Sequence, residues 1–255
     1  MQNSSKFKTA TEFFNCVSLE LRKKNRFQNK DIDRLVDLLI SENSNIEILK
    51  KATFKRARIY TEPDAIERFL NPPNSKFEGY DATNSFVNTY GTEGRCNPKF
   101  IPYLYVSNLV GCCIAEINPS IDSIISVANI KATEELRILN LSKRFAISRQ
   151  SGSVVQDMWD CDLVMHLQYL FSRPYEQEGD YLLTQYISEK IKNSGFDGLS
   201  YYSSKYAYKS NSGTTERGCN FVIFNYEKCE AVSSKLYRVK AIEIKHSTSK
   251  SSHTN

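Results

Sequence analysis

Side chains able to manage charge stand at the ends of regular elements in this chain. From Thr53 to Tyr60 the pattern has period two, which puts Phe54, Arg56, Arg58 and Tyr60 on one face of a strand. Two guanidiniums on one strand face either guard an open sheet edge or clamp an anion, and spacing alone leaves both readings open. Three further segments set a polar residue against the end of an element. One runs Gly94-Arg95-Cys96-Asn97-Pro98, continues through Pro102-Tyr103-Leu104-Tyr105-Val106-Ser107 and reaches Ala115-Glu116-Ile117. The second is Asp197 to Ser204, containing Ser203, and the third is Gly218 to Phe224, containing Asn220. A carboxylate can meet positive charge developing in a transition state, and a guanidinium offers a forked donor set to a phosphate. Taken singly, each has an ordinary alternative: Glu116 as a solvated charge, Arg95 in a surface ion pair, Tyr105 in the core, Ser203 in a turn.

The elements that must position these residues can be read from periodicity. Thr9 and Glu12 have capping-box spacing, followed by Phe13, Phe14, Val17 and Leu21 on one helix face. Asn29 caps a second helix, with Asp31 and Asp33 at its positive end and Ile32, Leu35, Val36, Leu39 and Ile40 as its apolar stripe. Ser44 to Lys51 is expected to add a short third helix. Residues 71 to 99 are rich in Asn, Pro, Gly and Ser without a sustained period, as expected of a functional or disordered loop. A strand over Phe100 to Val106 and a helix capped by Ser107 through Cys112, Cys113 and Glu116 follow, then strands at 121 to 131 and 135 to 141. Helical spacing returns from Val154 to Ser172, with His166 as a core or surface residue, and again after a cap at Asp180, stopping at Gly195. A strand over Gly198 to Tyr202, a polar loop from Ser203 to Gly218, and strands over Cys219 to Phe224 and Lys235 to Ile244 complete the reading.

Composition excludes several classes. The chain has 255 residues, 40% of them hydrophobic, with 34 Lys plus Arg against 29 Asp plus Glu, so it can bury a core and carries only +5. So mild a charge, partly at the ends, argues against a nucleic-acid groove, and the scattered Tyr and Phe suit packing better than base stacking. No apolar run reaches the ~18 residues of a membrane span, and the polar start MQNSSKFKTA lacks a secretory core, so a cytoplasmic protein is expected. Seven cysteines, an odd number without a Cys-x-x-Cys pair or a neighbouring histidine, point to reduced thiols and no metal site. No glycine-rich phosphate fingerprint follows a strand, which argues against Rossmann and P-loop chemistry.

In Arg95, Tyr105, Glu116, Ser203 and Asn220, taken in order, the sequence resembles the RES domain family. That family's pattern is a Gly-Arg-aromatic-Asn stretch, a Tyr ten residues after the Arg, a Glu on the next helix, a Tyr-x-Ser at a strand end and an Asn-hydrophobic-hydrophobic-Phe strand. The match runs from about Phe54 to Ile244. Cys96 stands where the family often has an aromatic residue, the 203 to 218 loop is longer than in compact members, and Ser204 competes with Ser203 for the family Ser. The first fifty residues are similar to the extension of a longer subgroup. They contain no histidine, so the Arg/His pair of the HEPN ribonucleases, with which that extension is compared, is absent.

The resemblance implies an α+β fold, an ADP-ribosyltransferase-like mixed β core flanked by helices, with a helical appendage over residues 1 to 50, a RES domain over 51 to 245 and a disordered tail over 246 to 255. It implies cleavage of the nicotinamide–ribose bond of NAD⁺ by water or phosphate, with NAD⁺ as substrate and no further cofactor, in a growth-inhibiting toxin. An ADP-ribosyltransferase acting on a protein and a non-enzymatic module with a degenerate pocket are the alternatives. Glu116 is then the carboxylate near the anomeric carbon, Arg95 the pyrophosphate clamp with Arg56 and Arg58 in support, Ser203 a hydrogen-bonding partner and Tyr105 a flat face for the pyridinium ring. Asn220 either contacts substrate or ties down a loop. Expected partners are NAD⁺ and an inhibitory antitoxin protein, with a homodimer as a further option and no membrane.

Overall fold

A computed structural model describes residues 7–87, 91–143, 154–173, 181–209 and 213–243. The cap expected at Asp180, the 246 to 255 tail and the end of the last strand lie outside these residues. Two amphipathic helices open the chain, α1 (Ala10–Lys23) and α2 (Lys30–Ser41). Their caps form as the sequence dictates: Thr9 Oγ1 accepts from Glu12 N–H at 3.1 Å, and Asn29 Oδ1 from Ile32 N–H at 3.1 Å. Glu12 reaches back to Lys8 N–H, one residue before the cap.

The expected third helix over Ser44 to Lys51 is instead a 3₁₀ turn, Asn43–Asn45, and a strand, β1 (Ile46–Leu49). Too short to bury a helical stripe, this segment gains more by pairing antiparallel with a later strand. Then come β2 (Thr53–Ile59), α3 (Ala65–Leu70), α4 (Ala82–Ser85), β3 (Leu104–Ser107) and α5 (Val110–Glu116). Ser107 ends β3 and does not cap α5; the N-cap position belongs to Leu109. The chain continues through β4 (Ile124–Ala132), β5 (Leu136–Asn140), α6 (Val154–Ser172) and α7 (Tyr181–Asn193), which ends before Gly195 at φ +81°. The segment from Ser203 to Gly218 is not one long loop. β6 (Gly198–Lys209) and β7 (Thr215–Ile223) carry the hairpin through most of it, with the register slipping between Tyr202 and Ala207. A final strand, β8, spans Cys229–Arg238, earlier than the periodicity places it.

The eight strands form one sheet in the order β1-β5-β6-β7-β3-β2-β4-β8, antiparallel except for the β5–β6 pair. Because β2 lies inside this sheet, its arginines do not guard an open edge. It meets β3 at one residue pair, Lys55 opposite Ser107, and opposes β4 over seven. This is a mixed α+β fold with helices flanking the sheet.

The N-terminal helices share a core with the rest of the chain. Phe13, Phe14, Val17, Leu35 and Leu39 pack in one cluster with Leu163, Leu167 and Phe171 of α6, Ile187 of α7 and Leu199 and Val222 of the sheet. Polar ties reinforce that apolar contact: Arg34 grips Asp160 of α6 bidentately at 2.7 and 2.9 Å, and Tyr186 of α7 accepts from Asn29 N–H and donates to Asp33. His166 stacks on Phe14 with ring centroids 5.0 Å apart.

Candidate functional site

The β2–β3 seam opens into a cleft of about 410 Å³. Its walls come from β2 (Lys55, Arg56), the loop before β3 (Glu93, Arg95, Asn97), β3 (Tyr105, Ser107), α5 (Glu116), β6 (Tyr201, Lys205) and β7 (Asn220). Residues distant in sequence thus converge because β3, β6 and β7 are neighbours and α5 packs across them.

Glu116, Ser203 and Asn220 form one hydrogen-bonded cluster. Glu116 Oε1 accepts from Ser203 Oγ at 2.6 Å and from Asn220 Nδ2 at 2.6 Å. Ser107 Oγ donates to Asn220 Oδ1 at 2.6 Å. An ionised carboxylate only accepts, so the Asn220 amide nitrogen must face Glu116 and its oxygen must face Ser107. Ser203 is buried where the β6–β7 register slips, and its Oγ also accepts from Lys205 N–H and Tyr206 N–H at 3.1 and 3.2 Å. Glu116 Oε2 is engaged by neither Ser203 nor Asn220 and lies 3.8 Å from Lys205 Nζ, which also donates to the Glu116 carbonyl at 3.0 Å. Ser204, the competing serine, is exposed and lines the cleft.

Arg95 is held differently. Its Nη1 and Nη2 donate to Leu170 O at 2.9 Å and Arg173 O at 2.7 Å, where α6 ends and carbonyls lack helical partners. The rings of Tyr181 and Tyr201 flank it, each with its centroid 5.9 Å from the guanidinium carbon. Tyr105 braces the same loop by accepting from Cys96 N–H at 2.9 Å and donating to Asn97 Oδ1 at 2.7 Å. Only glycine fits at 94, since a Cβ there would meet Asn97 Oδ1 at 2.6 Å and the Tyr105 hydroxyl at 2.7 Å. Burial pushes the Tyr105 and Tyr201 hydroxyls well above the usual phenol value, so both stay neutral.

Arg56 lines the cleft and donates to Ser85 O at 3.3 Å; burial, with the neighbouring Arg58 charge, lowers its guanidinium to about 9, still cationic at neutral pH. Arg58 does not line the cleft, and its Nη2 donates to Phe86 O at 2.7 Å. Among the described residues there is no His/Cys/Asp/Glu cluster able to hold a metal, and no helix long and apolar enough to cross a membrane.

Lys55, Lys205, Ser107 and Tyr201 are cleft residues that the sequence reading does not single out. Lys205 follows Ser203 within the register slip, where strand alternation does not mark it, and reading that segment as a loop hides it further. Ser107 is hidden behind its expected role as a helix cap.

The sequence model of the RES domain matches residues 70–244 of this chain. Among solved structures, a chain of the M. tuberculosis MbcT–MbcA toxin–antitoxin complex superimposes with a TM-score of 0.40 at 11% identity, covering 84% of this chain and 99% of that one. No curated protein matches the sequence.

Proposed function

The chain belongs to the RES domain family, and from that premise we propose that it cleaves the nicotinamide–ribose bond of NAD⁺ and passes the ADP-ribosyl group to water or phosphate. The observation that carries this reading is Glu116, which lines an open cleft with cationic walls while its Oε1 is fixed by two 2.6 Å hydrogen bonds. When nicotinamide leaves, the electron pair of the broken bond goes with the ring, which becomes neutral, and the ribose carbon takes on the positive charge. A carboxylate with one oxygen already anchored offers the other to that charge, or to a ribose hydroxyl, without reorganising as the charge develops. Water or phosphate then bonds to the ribose carbon through oxygen, and the proton that water loses passes to solvent.

The cleft cations suit the other end of the substrate. Arg56, Lys55 and Lys205 line it with Arg95, and the pyrophosphate of NAD⁺ needs such partners. Arg95 already donates two bonds to α6, so in this reading it orders the wall and shares the clamp with Arg56. Tyr105 and Tyr201 supply aromatic walls for a flat cationic ring. We further infer, from the resemblance to RES toxins, that unrestrained turnover lowers cellular NAD⁺ and arrests growth, and that an inhibitory protein occluding the cleft keeps it in check.

The test is chromatography of NAD⁺ incubated with the purified protein, with and without phosphate. Free nicotinamide is the expected product, and the second product identifies the acceptor. Intact NAD⁺ after long incubation with folded protein would refute the proposal, and covalent label on a protein would replace it with the transferase reading.

A further inference from the structure

Where the β6–β7 register slips, the ladder is replaced by a specific set of bonds. Between the pairs Tyr202–Cys219 and Ala207–Arg217, β6 carries Ser203 to Tyr206 while β7 carries Gly218 alone. An interrupted ladder must satisfy its backbone groups with other partners. At Ser203 they arrive from two sides. Arg217 Nε and Nη2 both donate to the Ser203 carbonyl, at 3.0 and 2.7 Å, with the guanidinium carbon 5.3 Å from the centre of the Tyr202 ring. Lys205 N–H and Tyr206 N–H donate to the Ser203 hydroxyl oxygen. The Tyr206 ring then closes over α5: a Cβ at Gly111 would meet its hydroxyl at 2.4 Å, and one at Gly218 its Cδ1 at 3.0 Å.

These bonds leave the Ser203 hydroxyl a single option. A serine oxygen has two lone pairs, both taken here by N–H groups, so its proton goes to Glu116 Oε1. Ser203 is 1% exposed, and neither it nor Arg217 is among the described residues that line the cleft. On the reading of Glu116 as the carboxylate that meets the ribose cation, we propose that Arg217 is its positioning residue. By gripping the Ser203 carbonyl, Arg217 keeps the slip in the shape that aims the Ser203 hydroxyl at Glu116, and neither side chain touches the substrate. Ser203 is then no substrate ligand but the link between an exposed arginine and the reacting end of the cleft. A guanidinium suits the task because its fork brings two charged donors to one oxygen in a fixed geometry, which a lysine does not.

The experiment is a double-mutant cycle in the full chain, assayed per folded molecule. Arg217→Met keeps an unbranched stem beside Tyr202 and removes every donor, and because Arg217 is exposed no buried side chain is lost. In Arg217→Met and in Ser203→Ala, kcat for NAD⁺ should fall ~10-fold or more, within the ~10²-fold that a misplacement of about 1 Å costs, with KM inside about twofold of the wild type. Arg217→Lys should recover part of kcat. The double variant should be no slower than Ser203→Ala, because Arg217 acts through Ser203. The proposal is overturned if Arg217→Met leaves kcat at the wild-type value, whether or not KM rises, or if the double variant shows the product of the two single losses. A second measurement needs no substrate. In heteronuclear NMR, Arg217→Met should shift the side-chain amide signal of Asn220, which donates to the same Glu116 oxygen, and should speed hydrogen exchange at the Lys205 and Tyr206 amides. Unmoved signals at all three positions overturn the proposal. If the wild type itself releases no nicotinamide, the function proposed above fails, and the NMR readout alone decides whether Arg217 holds Ser203 on Glu116.

Discussion

Glu116 and Arg95 line the same cleft from walls of different construction. Glu116 ends α5 and takes its hydrogen bonds from side chains of the β6–β7 hairpin, in the middle of the sheet. Arg95 sits in a loop and gives two of its donors to backbone carbonyls at the end of α6, while Thr184 and Gln185 of α7 bind the loop itself. The carboxylate is oriented by the side chains around it, whereas the guanidinium is part of what holds the helical layer to the sheet. Substitutions at the first wall should register in chemistry, and those at the second in stability as well.

The largest effect expected is on the support behind the Arg95 wall. Removing residues 1–50 strips α1 and α2 from the core they share with α6 and α7 and takes β1 out of the sheet. Fully buried side chains such as Leu35 and Leu39 contribute roughly 1.5–3 kcal/mol each, more in sum than a domain's margin of ~5–15 kcal/mol tolerates. A chain starting at Lys51 should therefore not give a monodisperse folded species by size-exclusion chromatography and circular dichroism. A well-folded truncation would show that the two walls do not depend on the helices.

Next in size is Glu116→Gln, which keeps the shape and one oxygen for Ser203 but removes the charge. Turnover of NAD⁺ should fall ~10²–10³-fold with binding and thermal midpoint largely kept. Near wild-type turnover would take the carboxylate out of the chemistry and leave the cluster a structural knot.

The difference between the walls also explains what was legible in the sequence. Helices α1, α2, α6 and α7 follow from apolar spacing, and α1 and α2 from their caps as well, because each buries an apolar face in the shared core. Glu116, Ser203 and Asn220 stood out by type and position at element ends. What was hidden is what tertiary pairing decides: β1 looked helical until a partner strand was available, and the hairpin through Ser203 looked like a loop because its exposed polar residues carry no apolar alternation. Arg95 was legible as a charge, but its bonds to α6 join residues about 75 positions apart, and no local pattern encodes them.

Arg95→Ala comes third. It unsatisfies two carbonyls at the end of α6 and removes a charged donor, a loss of about 1.5–3 kcal/mol for hydrogen bonds to a charged group. The thermal midpoint should drop and NAD⁺ binding should weaken, with turnover per bound substrate falling less than in Glu116→Gln. Arg95→Lys should recover part of the stability but not the forked contact. If Arg95→Ala were as stable as the wild type, the contrast between the walls would fail.

The smallest expected effect is a pH dependence at Asp197, which precedes β6 and anchors the strand both walls share. Burial acts to raise its pKa, but donation from Arg137 N–H, Lys228 Nζ and Asn225 Nδ2 outweighs it and leaves the carboxyl below its ordinary value. A folded-state pKa below the unfolded one means that this stabilisation is fully present above the unfolded value of about 3.9 and is lost as pH falls through the folded one. The urea midpoint of the wild type should therefore fall with acidification below about pH 4. Asp197→Asn should start lower at pH 7 and lose less over the same acid window, because it has no proton to take up there. Its turnover per folded molecule at pH 7 should match the wild type, since Asp197 lines neither wall. An unchanged acid slope would assign the acid sensitivity to other carboxylates, and a large loss of turnover would mean that the start of β6 positions Ser203 more directly than its place in the sheet implies.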